Sequence, residues 1–397
     1  MAARANDLVM DGTVQLKVNA LKKSISRVLF ICSGIGITNR GIESFFREAF
    51  NGLRSLPDLS INLLKGTGTD APGERVIWNI PQTSRLARFV GRLTGRSAYA
   101  VQQWSTFFPI AKFIQKYRPH VVFYSDANLG FLLYRFRKQI GVPFRLLFSN
   151  GGPNRPPFPR TDFVHQVAPY YYKAAMDQGE PEWKHFMVPY GVQVPESPVD
   201  DLAKKRETRQ RLGLPLHRPV ILSVGWIARQ HKRMHYVIEE VLRLQQHKPF
   251  LQLLGSIDEA SPEIIEMGNC LLGSRNFSAR CEPYEAVGDF YRAADCFVLA
   301  SLQEGFGRVY LEALMHGLAV IAHRHPVMEY VLGSQGVLAD LSRPAVLADL
   351  LSAELLRKPD IQAARARWES VRSRFSWSAL APLYHRMFLA VSQHAVG

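Results

Sequence analysis

The sequence predicts an α/β protein with two domains, each built on a parallel sheet. From Val28 onward, short apolar runs alternate with segments of helical periodicity, which is typical of βα units in a parallel sheet. The series stops at a polar, charged stretch over 195–219 and then begins again. At 397 residues, the chain also suits two domains of about 200 residues better than one core. Two such series predict two Rossmann-like domains that face each other across a cleft.

The expected boundaries follow from this alternation. We predict a loose extension over 1–24, a first domain over 25–195, a second domain over 196–377 and a final helical segment over 378–397. The strands expected in the first domain are 28–33, 61–65, 120–125, 145–149 and 186–189. Those expected in the second domain are 220–224, 251–254, 277–280, 296–300, 320–322 and 336–339. A long helical region over 84–117 and a proline-rich loop over 151–159 interrupt the first series, and a short helix is expected near 201–212.

Charge is spread unevenly between the two halves. The net charge of the chain is +15, of which +13 lies in residues 1–190 and +2 in residues 191–397. A basic first half beside a nearly neutral second half predicts two domains with different binding partners.

Cysteine usage and hydropathy bear on the compartment. The four cysteines form no C-x-x-C pair and show no metal-ligand spacing with histidine, which favours buried free thiols in a reducing compartment. No apolar run approaches the ~18 residues that a membrane-spanning helix needs. We therefore expect a cytoplasmic protein without a structural metal site.

Two carboxylates flank a glycine turn in the second half. An apolar run over 296–301 is followed by Glu304, by Gly305, Phe306 and Gly307, and then by a helical pattern that contains Glu312. Ligands bind beyond the carboxyl ends of parallel strands, and a helix N-terminus there suits a phosphate group. This order fits a nucleotide-sugar, with Glu312 accepting ribose hydroxyls and Glu304 accepting sugar hydroxyls. The alternative is that Glu312 caps the helix and Glu304 is solvated, and spacing alone leaves both open.

A basic loop follows the first strand of the second domain. Lys232 and its neighbours Arg229 and Arg233 come shortly after the predicted strand over 220–224. A diphosphate leaving group gains negative charge as the sugar bond breaks, so fixed cations stabilise that transition state. A solvated basic loop is the alternative, which we favour for Arg233 but not for Lys232.

The pattern from Glu304 to Glu312, followed by His316-Gly317 and Glu329, resembles the donor-site signature of the group 1 retaining glycosyltransferases. The resemblance implies the two-domain GT-B fold, with a nucleotide-sugar in the second domain and an acceptor on the first. It implies that the final helix returns to pack on the first domain. It also makes Lys232 the phosphate-binding lysine.

Several positions depart from that family pattern. Trp226 stands where the family has an arginine, so Arg229 or Arg233 would substitute for it. The loop over 34–41 resembles the N-terminal glycine loop of the family, but Arg40 replaces the first glycine of its pair and only Gly41 matches. Tyr284 lies at a strand end that faces the nucleotide base in the family, and either stacks on a base or packs under its helix.

Two polar residues end strands of the first domain. Asp126 follows the predicted strand over 120–125 and is the only acidic residue between Arg85 and Arg160. It is either a general base or a helix cap. Asn150 ends the next strand, on the acceptor side, where family members often carry a histidine, so no base carries over from that histidine.

The predicted function is therefore a retaining, metal-independent glycosyltransferase without a cofactor. Its partners would be a nucleotide-sugar donor and an acceptor sugar, such as a lipid-linked or polysaccharide intermediate. A phosphorylase or epimerase with the same fold is one alternative. A nucleic-acid-binding protein is another, because the pI is about 9.8, but no recognisable nucleic-acid module is present, so no specific nucleic-acid partner is expected.

One predicted helix of the first domain is both basic and apolar. Arginines recur at helical spacing beside an apolar face, and aromatic and basic residues follow: Arg85, Arg88, Arg92, Arg96; Leu86, Phe89, Val90, Leu93; Trp104, Phe107, Phe108; Lys112, Lys116, Arg118. Such a helix suits the surface of an anionic membrane, and the protein would then be peripheral on the inner face of that membrane. Alternatively, the apolar face packs on the domain core and the arginines are only solvated.

Overall fold

The computed structural model describes residues 25–394 except 39, 153, 198–201 and 245–247, so the expected extension over 1–24 lies outside the described residues. Within these limits the chain forms two α/β domains, each with one parallel sheet. The predicted fold class is thus confirmed. The first sheet contains strands from 26 to 187 and the second contains strands from 220 to 339.

The first domain is built on a seven-stranded sheet of order β3-β2-β1-β4-β5-β6-β7 in the described chain. Its strands are β1 (Ser26–Cys32), β2 (Leu59–Lys65), β3 (Glu74–Val76), β4 (Val121–Tyr124), β5 (Arg145–Asn150), β6 (Phe163–Gln166) and β7 (His185–Met187). Its helices are α1 (Gly41–Leu53), α2 (Arg85–Thr94), α3 (Ala98–Tyr117), α4 (Ala127–Arg135), α5 (Arg137–Ile140) and α6 (Pro169–Asp177). All its ladders are parallel, as expected for βα units.

The second domain carries a six-stranded sheet of order β10-β9-β8-β11-β12-β13 within the described residues. Its strands are β8 (Val220–Val224), β9 (Phe250–Leu254), β10 (Phe277–Arg280), β11 (Cys296–Leu299), β12 (Ala319–His323) and β13 (Val337–Ala339). Its helices are α7 (Leu202–Leu212), α8 (Met234–Leu242), α9 (Ser261–Leu272), α10 (Tyr284–Ala293), α11 (Arg308–Met315), α12 (Pro326–Leu332), α13 (Val346–Leu355) and α14 (Ile361–Phe375). Strands β8 and β11 are buried along their whole length because helices cover both faces of the sheet.

The last helix, α15 (Trp377–Gln393), packs on the first domain against α1 and β1. Phe388 of α15 meets Phe30 of β1 with ring centroids 5.6 Å apart, and the Tyr384 hydroxyl donates to the carbonyl of Pro189 at 3.0 Å. The chain therefore crosses between the domains twice, and the two crossings meet in a short bridge between Val192 and Ser376.

The cysteines only partly match their expected environment. All four are free, but Cys32 and Cys296 are buried whereas Cys270 and Cys281 are exposed. Position beside an apolar run was thus an insufficient guide, because α9 presents Cys270 on its outer face and Cys281 follows the end of β10.

Candidate active site

The loops after β5 and β11 bring the two domains into contact at the carboxyl ends of both sheets. Gly305 lies so close to the first domain that an added Cβ would stand 2.1 Å from the carbonyl oxygen of Gly151. The Tyr171 hydroxyl of α6 donates to the backbone carbonyl of Glu304 at 2.8 Å. The rings of Tyr190 and Phe306 also meet across this contact, with centroids 5.5 Å apart. A side chain at 305 would separate the domains, so glycine is required there by space.

Glu304 and Lys232 form a largely buried ion pair beside this contact. The Lys232 Nζ lies 2.6 Å from Glu304 Oε1, and the two side chains are 17% and 7% exposed. Gly225 lets the lysine stem approach the end of β8, because a Cβ there would stand 3.3 Å from the Lys232 carbons. The alternative of a solvated Glu304 is wrong, since a carboxylate removed from water needs such a cation.

The helix between the two acids begins at the same place. Gly307 has φ +77° and precedes α11, and no side chain of the described residues caps that N-terminus. A Cβ on Gly307 would stand 2.6 Å from the Tyr310 ring, so both its dihedral angle and its space favour glycine. Free first-turn N–H groups and the partial positive charge of the helix end are suited to an anionic ligand.

Glu312 lies one turn into α11 and faces α10. The Tyr291 hydroxyl donates to its carboxylate at 3.0 Å. Burial raises the pKa of Glu312, while the positive charge of Arg308 on the same helix opposes that shift. Glu312 is 8% exposed and does not cap α11, so the capping alternative is wrong.

The remaining cations of the basic loop are engaged by the protein. Arg229 is half exposed and pairs with Glu263 at 2.8 Å. Arg233 donates to the carbonyls of Ala300 and Leu341, at 3.2 and 2.7 Å, so it ties neighbouring loops together. Trp226, which stands in place of the family arginine, has a buried Nε1 without a hydrogen-bond partner in the described chain.

The glycine loop of the first domain begins α1, as expected. The Arg40 backbone N–H donates to the Glu43 carboxylate at 3.1 Å, and the Arg40 guanidinium donates to the same carboxylate at 2.6 Å. Gly41 is exposed, and a Cβ there would meet no described atom within 4 Å. Arg40 is therefore held by Glu43, and Gly41 leaves open space at the helix start.

Tyr284 points its hydroxyl at the first domain. It donates to the carboxylate of Glu48 on α1, and burial raises the pKa of Tyr284. Its ring is half buried at the start of α10.

The two strand-end residues of the first domain have different surroundings. Asp126 caps α4 by accepting from the Leu129 N–H at 3.0 Å, it also accepts from the Tyr99 hydroxyl, and burial raises its pKa to about 6. Asn150 is fully buried; its Nδ2 donates to Gln166 at 2.9 Å and its Oδ1 has no partner among the described residues. In the described parts of the chain, no group of three or more His, Cys, Asp or Glu side chains is arranged to hold a metal ion.

Sequence reasoning missed the partners of these residues: Tyr171, Tyr291, Arg308 and Glu48. Each comes from an element distant in sequence or faces a partner that only the fold brings near. Arg308 carried one signal, because a cation at the first position of a helix opposes the helix dipole and so needs a nearby anion. That anion is Glu48, 2.5 Å away.

The helix α2 exposes the apolar face that could have packed on the core. It is buried only through Ala87 and Gly91. Leu86, Phe89 and Leu93 are 54%, 60% and 71% exposed. Arg85, Arg88 and Arg92 are exposed too, so the packing alternative is wrong for this helix. Arg96 is also exposed, but its predicted place on the same helix is wrong, because α2 ends at Thr94 and Gly95 caps it. No described helix has both the length and the apolarity to cross a membrane.

Two α/β domains that meet at the carboxyl ends of their parallel sheets, with a last helix that returns to the first domain, define the GT-B class. The fold is similar to Anabaena HepE in complex with UDP and glucose, with a TM-score of 0.70, 14% identity and coverage of 92% of this chain and 100% of that one. It is equally similar to the sucrose-phosphate synthase of Thermosynechococcus elongatus, with a TM-score of 0.70, 18% identity and the same coverage.

Residues 204–369, which lie in the second domain, match the family model of the glycosyl transferases group 1. A D-inositol 3-phosphate glycosyltransferase of Corynebacterium jeikeium is 32% identical over 218 residues, which is 51% of each chain. The putative teichuronic acid biosynthesis glycosyltransferase TuaC of Bacillus subtilis is 26% identical over 214 residues, 53% of this chain and 52% of that one. The match thus spans about half the length of these curated relatives.

Proposed function

We propose that this protein transfers a glycosyl group from a nucleotide-sugar, held by the second domain, to an acceptor held by the first. The observation that carries the proposal is the Lys232–Glu304 ion pair beside the uncapped start of α11, at the contact between the domains. A nucleoside diphosphate needs cationic and N–H partners, and a sugar hydroxyl needs a carboxylate. The solved relative that binds UDP and glucose shares this fold, which supports a donor of that class.

The chemistry we propose is retaining and independent of metal. The Lys232 ammonium and the N–H groups of α11 stabilise charge that grows on the diphosphate as the sugar bond breaks. Glu304 orients the donor sugar and Glu312 accepts the ribose hydroxyls. Phe306 and the two glycines beside it shape the turn between them, whereas Arg229 takes part only after release from Glu263.

The acceptor lies on the first domain. Asp126, whose pKa is raised, receives a proton from the acceptor hydroxyl. The Oδ1 atom of Asn150, which has no partner among the described residues, accepts a hydrogen bond from the acceptor. The net charge of +13 over residues 1–190 suits an anionic acceptor, such as a phosphorylated sugar, a lipid-linked glycan or an anionic polysaccharide.

A panel of UDP-, GDP- and ADP-sugars tests the proposal by thermal stabilisation and by transfer. Ligand at 100 times its Kd should stabilise the fold by about 2.7 kcal/mol. Lys232→Ala should lose most of the transfer, whereas the matched control Lys173→Ala, at an exposed lysine paired with Asp177, should not. Stabilisation by none of the donors, together with turnover that requires inorganic phosphate, would instead favour a phosphorylase.

We further propose that α2 places the enzyme on an anionic membrane surface, from which it takes a lipid-linked acceptor. Leu86, Phe89 and Leu93 form one exposed apolar face, flanked by the arginines of the same helix. Arg96 lies 4.9 Å over the Trp104 ring, and Phe108 is 71% exposed on the neighbouring helix. Apolar side chains that enter the headgroup region beside cations that bind lipid phosphates account for both features.

Sedimentation with vesicles decides this part. Each cation near an anionic bilayer contributes about 1 kcal/mol, so changing the four arginines to glutamine should weaken binding at least tenfold. As a matched control, four exposed arginines of the second domain are changed to glutamine, which removes the same charge and should have little effect on vesicle binding. These residues are Arg243, Arg357, Arg365 and Arg372. Equal sedimentation with neutral and anionic vesicles at low salt would refute the membrane surface.

A further inference from the structure

One largely buried carboxylate of the first domain, that of Glu48, accepts from four donors in the rest of the molecule. Glu48 Oε1 accepts from Arg308 at 2.5 Å and from the Tyr284 hydroxyl. Glu48 Oε2 accepts from the Gln193 N–H at 2.9 Å and from Trp377 Nε1 at 3.4 Å. Two donors belong to the second domain and two lie where the chain crosses between domains. Glu48 is thus the point where α1 holds the second domain and both crossings.

Arg308 depends on this carboxylate. Its side chain is 4% exposed, its second contact is to the Gly41 carbonyl at 3.2 Å, and its Nε has no partner among the described residues. It occupies the first position of α11, where a cation opposes the helix dipole. Without Glu48, this guanidinium would be buried and largely unpaired.

Glu312 is another anion whose charge acts on Arg308. Arg308 and Glu312 are four residues apart, and such residues lie on the same face of a helix. The charges of Arg308, Glu48 and Glu312 already influence one another in the folded chain. A released Arg308 would turn to Glu312 and occupy the carboxylate that the ribose needs.

We propose that Glu48 is a positioning residue of the donor site: it acts through Arg308 to fix the first turn of α11 and to keep Glu312 free for the nucleotide. This inference rests on the proposed function, because it assigns Glu312 to the donor. It makes α1 of the acceptor domain part of what orders the donor helix. Donor binding therefore depends on the contact between the domains, and not on the second domain alone.

The test compares Glu48→Gln, Arg308→Gln and the double variant in the full-length chain. The Kd of UDP and of the UDP-sugar that the wild-type chain uses is measured by calorimetry, and kcat and KM are measured for donor and acceptor. Misplacement of a binding group costs up to about 100-fold, so we expect Glu48→Gln to raise donor Kd and KM about tenfold or more. The acceptor KM should change little.

Rescue separates positioning from a general loss of structure. If Glu48 acts by holding Arg308 away from Glu312, removing both charges should return donor Kd to within about threefold of wild type, because a neutral pair releases no cation. A contact that acts only through its shape and hydrogen bonds would instead leave the double variant as impaired as the single variants. Glu48→Asp keeps the negative charge, so it is a second variant with which the proposal can be tested if Glu48→Gln misfolds. The matched control Glu74→Gln breaks a similarly buried pair with Lys65, away from the junction, and should leave donor KM unchanged.

Hydrogen exchange distinguishes failure of this inference from failure of the proposed function. Glu48→Gln should speed exchange of the amides over 305–312, and the double variant should restore protection, whether or not a donor is present. A wild-type chain that binds no nucleotide or nucleotide-sugar would overturn the proposed function and the donor assignment made here. A wild-type chain that binds donor, with Glu48→Gln unchanged in both donor Kd and exchange, would overturn only this inference.

Discussion

Lys232→Ala would leave the Glu304 carboxylate buried without a counter-ion. The two side chains are 17% and 7% exposed, with 2.6 Å between the charged atoms. Breaking a buried pair by removing one partner costs about 3–5 kcal/mol. Water can reach the position of the lysine more easily than that of the glutamate, so we expect the lower end, about 3 kcal/mol. In a domain of 150–250 residues, this corresponds to a fall in Tm of roughly 6–12 °C.

Neutralising the glutamate in the same chain should reverse most of that loss. In Lys232→Ala/Glu304→Gln, no buried charge remains unpaired, so the double variant should be more stable than Lys232→Ala alone. Transfer should behave in the opposite way. Because we propose that both groups act on the donor, the double variant should remain at least about 100-fold slower than wild type. Stability thus returns while activity does not.

Thermal unfolding followed by circular dichroism, paired with a transfer assay on the same preparations, measures both effects. Lys173→Ala, whose exposed pair with Asp177 contributes little, provides the baseline for loss of a lysine. A double variant no more stable than Lys232→Ala would show that the pair is not a buried electrostatic unit. A double variant that regains transfer would show that neither charge of the pair is needed for transfer.

Three further predictions concern pH and metal. Glu312→Gln should weaken nucleotide-sugar binding and abolish the pH dependence of that binding. Burial raises the pKa of Glu312, so the affinity of the wild-type chain should fall with decreasing pH in a range above that of an ordinary glutamate. A parallel fall in the affinity of the variant would contradict this. By the same linkage, the wild-type chain should lose stability relative to that variant as pH rises through this range, because the unfolded chain ionises more readily. Asp126→Asn keeps an N-cap for α4 but removes a base whose pKa burial raises to about 6. The value of kcat/KM should therefore drop by about 10²–10⁴, and the acid limb of its pH profile near pH 6 should vanish. An unchanged rate would show that Asp126 acts only as a helix cap. EDTA should leave transfer largely unchanged, and a complete loss restored by Mg²⁺ or Mn²⁺ would contradict the metal-free mechanism.

The strands of the second domain were the most predictable part of the fold. Strands β8 and β10 have the predicted bounds. Each is a short segment with turn-forming or charged residues near both of its ends, and such residues mark where a strand begins and stops. Strands β3 and β6 were missed. β3 has three residues and contains two charges, and β6 ends in buried His165 and Gln166, so neither shows the apolar pattern of a central strand. His165 is accommodated there because Ser149 and the Val188 carbonyl bind its two nitrogens.

The positions of Glu304 and Glu312 along the chain could be predicted, but not the contacts that hold their side chains. A strand, a glycine turn and a helix fix where Glu304 and Glu312 lie along the chain, since that order is local. Their partners Tyr171 and Tyr291 come from α6 and α10, and Glu48 comes from α1. Only the arrangement of elements brings these groups together, and no local pattern encodes it. Whether the apolar face of α2 packs on the core or is exposed could not be predicted for the same reason, because amphipathic periodicity does not show which face of a helix contacts another element.

The two acids are held in different ways, and this suggests separate functions in the reaction. Glu304 is paired with Lys232 and linked through its carbonyl to Tyr171 of the first domain, so its position depends on both domains. The carboxylate of Glu312 is bound by Tyr291 within the second domain. In the proposed site, Glu312 would therefore bind the nucleotide from within the second domain, but only while Glu48 of the first domain keeps Arg308 aside. We expect the donor sugar to be oriented where the first domain meets the turn at Gly305, which is also where the proposed acceptor would arrive.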